Sequence, residues 1–247
     1  MIELKNPHSI LEVFRKRPGA VKKLSPPTQA HQADWKEVLR LAEQHRVPMT
    51  LETLGDRGRS KQQRGKKVET VRRSGAGSAW IEPPPSLPIE ELIPKGVQKG
   101  FWIALDSVQD PHNVGAIFRS ASFFGANGII LLEDRAAKLT GVACDVASGG
   151  AEHVPYTTVV NLRSALKWAK DQGIWVLGTS EHAESPMREV LDERPWLVIL
   201  GNEEKGVRRL VQEECDLLCS IAQHGAVGSL NVSVAAGILM EHLANLR

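Results

Sequence analysis

From about residue 97 onward the chain alternates short apolar runs with longer amphipathic ones, and this alternation limits its fold more than any other feature. Phe101–Leu105, Gly128–Leu132, Ile174–Gly178, Trp196–Gly201 and Leu217–Ile221 are brief, rich in Ile, Leu, Val and Trp, and apolar on both faces. Strands buried on both sides have this texture. Between and after them, Asn113–Gly125, Leu139–Ser148, Asn161–Gln172, Val207–Cys215 and Asn231–Leu246 read as helices. The alternation predicts an α/β domain with a largely parallel sheet over residues 97–247. No repeat at a fixed period accompanies it.

The preceding residues differ. Helical periodicity predicts a helix over Ser9–Arg17 and another over Asp34–His45, the latter with Asp34 as its N-cap and Trp35, Val38, Leu39 and Ala42 on its apolar face. A short strand is expected at Val47–Leu51. Arg57–Arg73 then carries eight basic residues and one acidic residue in 17 positions. Eight cations so close repel one another unless solvent or a polyanion screens them. A solvated loop and a nucleic-acid contact are the two readings. The proline run at 83–88 predicts a semi-rigid spacer. The expected organisation is a small domain at 1–80, a linker at 81–96 and the α/β domain at 97–247.

Charge follows the same division. Residues 1–95 hold 18 Lys and Arg against 11 Asp and Glu, a balance of +7; the remainder holds 13 against 18, a balance of −5. A basic end on a mildly acidic body points to a polyanionic partner. Charged residues at 24% and hydrophobic residues at 42% exclude a wholly disordered chain. No apolar run is long enough to cross a bilayer, and no secretory signal is visible. Cys144, Cys215 and Cys219 are too few for a disulfide framework, which implies free thiols in a reducing cytosol. They lack zinc spacing, so no metal site is expected. The glycine fingerprint of nicotinamide enzymes, the P-loop and the nucleophile elbow are missing.

Three segments carry the remaining chemistry. Leu105–Ala121 reads strand, turn, helix, with Asn113 where the helix begins and Arg119 opposite the apolar stripe. Asn113 is either an N-cap or a functional group; Arg119 is either a solvated charge or a working one. In Leu197–Val207 a buried strand ends at Gly201, followed by Glu203 and Glu204 in a tight turn. Ligands of open α/β sheets bind at such strand ends. In Ser220–Leu239 a glycine-rich loop leads to Ser229, Asn231 and Ser233 at the start of the last helix. His112, His153 and His224 lie nearby, and a histidine base competes with turn and hydrogen-bonding roles for each.

Together these segments closely resemble the three motifs of the SpoU/TrmH family of RNA ribose 2′-O-methyltransferases, in the SPOUT superfamily. The matches are D-x-V-x-D-P-x-N-x-G-A-I-x-R-S-A at 106–121, L-G-N-E-x-x-G at 200–206 and S-L-N-V-S-V-A at 229–235. The first part of the chain resembles, more weakly, the ribosomal-protein-L30e-like substrate domain of some members. It departs from their pattern at His8-Ser9-Ile10, where a glycine often follows the histidine.

The resemblance implies S-adenosylmethionine as methyl donor, structured RNA as substrate, a homodimer and a deep trefoil knot in the second and third motif segments. It implies cofactor contacts at Thr179, Gly201, Ile221 and Leu230, with Ile221 and Leu230 walling the adenine. It assigns catalysis to Arg119. A guanidinium stays protonated, so the expected role is to clamp the phosphate beside the target ribose and stabilise the developing oxyanion. Asn113 would orient Arg119 or the ribose, Glu203 and Asn231 would set the loops, and Ser229 would touch substrate or cofactor. RNA contacts are expected from Arg57, Arg59, Lys61, Arg64, Lys66 and Lys67. The two-domain layout looks most like bacterial enzymes acting on a guanosine of large-subunit rRNA. A tRNA enzyme and an inactive RNA-binding relative are the alternatives.

Overall fold

The computed structural model describes residues 1–27, 33–50, 77–134 and 136–246, which form two compact units, Met1–Glu82 and Pro83–Arg247. The basic stretch 57–73 lies outside the described residues.

In the first unit, β1 (Ile2–Leu4), β2 (Val21–Ser25) and β3 (Ser78–Ile81) form an antiparallel sheet in the order β1-β3-β2. Helices α1 (Pro7–Lys16) and α2 (Ala33–Gln44) pack against each other. Asn6 starts α1 by accepting from the His8 amide at 3.0 Å, and Pro7 follows with its φ already suited to a helix. Ile10, Val13, Phe14, Leu24, Trp35, Val38 and Ile81 are buried. Two expectations change. Asp34 lies inside the first turn of α2 instead of capping it. Of the strand expected at 47–51, the described residues 47–50 form a bridge between Leu24 and Met49, with Leu24 N donating to Pro48 O and Thr50 N to Leu24 O, each at 2.9 Å.

The second unit contains α3 (Ile89–Leu92), β4 (Phe101–Asp106), α4 (Pro111–Phe124), β5 (Gly128–Leu132), α5 (Gly141–Ala147), β6 (Tyr156–Val159) and α6 (Leu162–Asp171). There follow β7 (Trp175–Thr179), α7 (Met187–Val190), β8 (Trp196–Gly201), α8 (Arg209–Gln212), β9 (Leu217–Cys219) and α9 (Val232–Asn245). Six parallel strands are ordered β6-β5-β4-β8-β7-β9. One core joins Trp102, Ala104, Ile130, Val176, Leu197 and Ile199 to Leu162, Leu166 and Ala169 of α6. Ile103, Ile129, Leu131, Val198 and Leu200 are buried on the alternate strand positions. Helix α4 packs on α5 and α9. A Cβ at Gly115 would come within 2.4 Å of the Ala143 carbonyl oxygen, so this motif glycine lets α4 and α5 approach closely.

The α/β architecture and parallel sheet agree with the sequence reading. The proline segment packs on the second unit. Pro84 accepts from the Tyr156 hydroxyl at 2.9 Å, and Leu87 N donates to Tyr156 O at 2.8 Å. Ser86 Oγ accepts from Thr158 N at 2.9 Å, and Leu92 and Ile93 enter the sheet core. The run is thereby tied to edge strand β6, whose polar Thr157 and Thr158 concealed it from a hydropathy reading. Helix α8 is much shorter than the expected 207–215. The Val176 and Asp216 backbones bond at 2.9 Å, and Asp216 Oδ2 takes Val176 N at 2.9 Å, which draws the chain into β9.

Candidate active site

Beyond β4 the chain folds to one side of the sheet through β5 and β6; β7, β8 and β9 lie on the other. The strand order therefore reverses between β4 and β8, the place where open α/β sheets offer a crevice at their strand ends. Asp106 and Gly201 end these two strands opposite each other. The first two motifs leave from this region, and Asn231 of the third, which follows edge strand β9, bonds back to Asn113.

The first motif begins α4. Asp110, not Asn113, is the N-cap: it accepts from His112 N at 2.8 Å, and Pro111 takes the first helical position. Asn113 lies one turn in and is buried, which frees its side chain for tertiary contacts. Its Nδ2 donates to Glu203 Oε1 at 2.9 Å, while its Oδ1 accepts from Asn231 Nδ2 at 3.1 Å. Asn231 Oδ1 in turn caps α9 by accepting from Ser233 N at 2.8 Å. A carboxylate only accepts, so Glu203 dictates the orientation of both amides in turn. One hydrogen-bonded chain thus runs from the cap of α9 through Asn113 to Glu203 and joins the three motifs.

The second motif is a closed loop. Asn202 and Gly206 bond backbone to backbone at 3.0 and 2.9 Å. Asn202 Oδ1 accepts from Glu204 N and Lys205 N, each at 3.1 Å. Asn202 Nδ2 reaches Ser107 O at 3.0 Å and Glu203 Oε2 at 3.2 Å. A Cβ at Gly201 would lie 2.1 Å from Gly206 C, so the loop can return over this position only because it is glycine. Gly206 takes a φ of +65°, which glycine adopts without strain. The buried Asp106 carboxylate pairs with the exposed Arg208 guanidinium at the loop base. The sequence reading assigned them no role, although Asp106 opens the first motif. Glu204 and Lys205 are exposed.

The other anticipated residues are distributed as follows. Thr179 ends β7 and donates its hydroxyl to Ile199 O at 2.9 Å. Ile221 lies two residues beyond β9, and Ser229 and Leu230 occupy the exposed loop before α9. Leu230 is 51% exposed. Arg119 is also exposed and has no hydrogen-bond partner among the described residues. It lies about 9 Å farther along α4 than Asn113, at 1.5 Å rise per residue, outside the hydrogen-bonded chain.

The SpoU rRNA methylase family profile matches residues 100–241. The chain belongs to this family. The 23S rRNA (guanosine-2′-O-)-methyltransferase RlmB of Nitrosomonas europaea is 34% identical to it over 234 residues, covering 94% of this chain and 87% of that protein. The enzyme of the same name from Pseudomonas putida is 34% identical over 236 residues, covering 94% and 92%. The fold is shared with the SpoU methyltransferase AviRb from Streptomyces viridochromogenes, solved in complex with AdoMet. That likeness has a TM-score of 0.76 at 22% identity and covers 98% of this chain and 89% of that one.

A SpoU cofactor is S-adenosylmethionine, and the residues present fit it. Between Ile221 and Leu230, the only hydrogen bond to the loop backbone from a described residue is from Gln223 Nε2 to Gly225 O, at 2.9 Å. The other amides and carbonyls can therefore serve a bound molecule. Ile221 and the half-exposed Leu230 add apolar surface in the same segment. Among the described residues, no group of three or more His, Cys, Asp and Glu could hold a metal ion, and no helix is long and apolar enough to cross a membrane.

Proposed function

We propose that the protein transfers a methyl group from S-adenosylmethionine to a ribose 2′-hydroxyl in structured RNA, with a guanosine of large-subunit rRNA as its target. The observation carrying this reading is the hydrogen-bonded chain Glu203–Asn113–Asn231, which gathers a carboxylate and two amides from all three motifs at the sheet's switch point. The names of the relatives that share both units support the rRNA guanosine.

The cofactor supplies an electrophilic methyl on a sulfonium. The chain must then align a weakly acidic hydroxyl with it and stabilise the alkoxide that develops. Thr179, Gly201, Ile221 and Leu230 are assigned to the cofactor, the last two as walls for its adenine. Asn113, Glu203 and Asn231 hold the geometry of the loops, and Ser229 touches substrate or cofactor. Arg119 clamps the phosphate beside the target ribose; having no hydrogen-bond partner among the described residues suits that role. Arg57, Arg59, Lys61, Arg64, Lys66 and Lys67 are assigned to RNA phosphates, within an L30e-like substrate domain. The working form is a homodimer in the cytoplasm. Phe123 on α4, 83% exposed, and Val234 on α9, 50% exposed, offer apolar surface on two adjoining helices for the second copy.

The test is methyl transfer from labelled S-adenosylmethionine to rRNA from a strain lacking the protein, with the product mapped by resistance to alkaline cleavage. A single protected guanosine in large-subunit rRNA is expected. Modification of tRNA alone would move the substrate to that class. S-adenosylhomocysteine binding without transfer to any RNA would favour an inactive RNA-binding member.

A further inference from the structure

We infer that Asp106 and Arg208 are a positioning pair that holds the Glu203 carboxylate on Asn113; the kinetic part of this inference rests on the proposed function. Asp106 ends β4 with a fully buried side chain. Its carboxylate takes Arg208 three ways: Oδ2 from the backbone N at 2.8 Å, and Oδ1 from Nε and Nη2, each at 2.7 Å. Gly201 lies beside Asp106 in the β4–β8 register. The chain therefore leaves the sheet next to Asp106, makes the loop bearing Glu203, and returns to Asp106 at Arg208.

Three cross-links join the segment 106–113 to the segment 202–208. They are Asp106 with Arg208, Ser107 O with Asn202, and Asn113 with Glu203. The last involves an exposed carboxylate on a short loop, whose direction would average out if the loop base rocked. The base is held by the first. Helix α8 spans only four residues and Arg208 supplies no side-chain cap, so the Asp106 carboxylate also fixes where that helix starts. With Asp106 buried and the Arg208 side chain 45% exposed, two charge-assisted bonds to one carboxylate oxygen fix the direction of the guanidinium.

The experiment compares Arg208→Lys and Arg208→Gln, each alone and in a Glu203→Gln background, well below their melting temperatures. For Arg208→Gln, kcat on rRNA should fall by about 100-fold, the scale of a small misplacement of reacting groups. Arg208→Lys should fall between it and wild type, keeping the charge without the fork. KM for RNA and the Kd for S-adenosylhomocysteine should stay near wild type. In the Glu203→Gln background the same changes should cost no more than about twofold, since residues acting through one group are not additive. The NMR signals of the Asn113 side-chain amide should shift in Arg208→Gln, a reading that needs no methyl transfer. Undiminished kcat, fully additive losses or an unchanged Asn113 amide would overturn the inference. Should Arg208→Gln fail to fold, Arg208→Lys decides by the same readings. A wild type inert on every RNA would count against the proposed function, and the amide signals would still decide the pair.

Discussion

At the scale of single residues, the site depends on directional hydrogen bonds. Asn231 both caps α9 and donates to Asn113, and Asn231→Asp separates these roles. A carboxylate still caps the helix, and its charge suits a helix N-terminus. It cannot donate to Asn113 Oδ1. The kept cap holds α9, but the unpaired buried acceptor costs about 1–3 kcal/mol, so the melting temperature should drop modestly while kcat falls about tenfold or more. Thermal unfolding beside methyl-transfer kinetics checks both. Arg119→Ala should abolish transfer and spare S-adenosylhomocysteine affinity in calorimetry, because Arg119 has no hydrogen-bond partner among the described residues. Arg119→Lys should restore little, lacking the planar fork. Substantial transfer by the alanine variant would remove Arg119 from the site.

At the scale of elements, the β8–α8 loop depends on a missing side chain. Gly201→Ala would drive a methyl into the Gly206 backbone, and overpacking of this kind costs about 1–3 kcal/mol. The loop should shift, with lower urea stability and weaker cofactor affinity together; normal affinity would place the cofactor elsewhere. Nearby, Cys215 in the α8–β9 turn and Cys219 at the end of β9 are two thiols expected to be inert. Burial pushes Cys215 and Cys219 from 9.0 up to about 12, with Asp216 adding to the shift at Cys215. Well below pH 9 both thiols are neutral, folded or unfolded, so they give stability no pH dependence there. Between pH 9 and about 12 the unfolded thiols ionise first, and stability falls as pH rises. Urea midpoints should drop across this range, and drop less in Cys219→Ala. Equal slopes would contradict the buried-thiol account.

At the scale of the whole molecule, the charge division between the two parts of the chain predicts salt-dependent RNA affinity. Replacing Arg57, Arg59, Lys61, Arg64, Lys66 and Lys67 with serine should weaken binding to RNA generally. Removing one cation from an RNA phosphate should flatten the slope of log affinity against log salt by about 0.7 to 0.9. Single-turnover methyl transfer at saturating RNA should change less, because these cations serve substrate and transition state alike. A salt titration of wild type and variant on one RNA measures the slope. An unchanged slope would make the stretch a solvated loop.

Local chemistry was legible in the chain itself. Apolar runs at Phe101–Leu105 and Trp196–Gly201 must be buried on both faces, so the parallel sheet could be read from hydropathy alone. The motifs likewise marked Asn113, Glu203 and Asn231 before any contact was visible. Hydropathy does not reveal a polar edge strand such as β6, or the docking of prolines on it, because backbone partners leave no periodic signal. Asn113 illustrates the limit best. Its neighbours in sequence suggested a helix cap, yet Asp110 caps and Asn113 faces inward. Its partners lie 90 and 118 residues away, and Asp106 finds Arg208 across 102. Such pairings are set by strand order, since insertion of β8 beside β4 brings the ends of both strands together. Side-chain chemistry is local to the chain, whereas the direction in which a buried amide or carboxylate is used depends on what the fold places beside it.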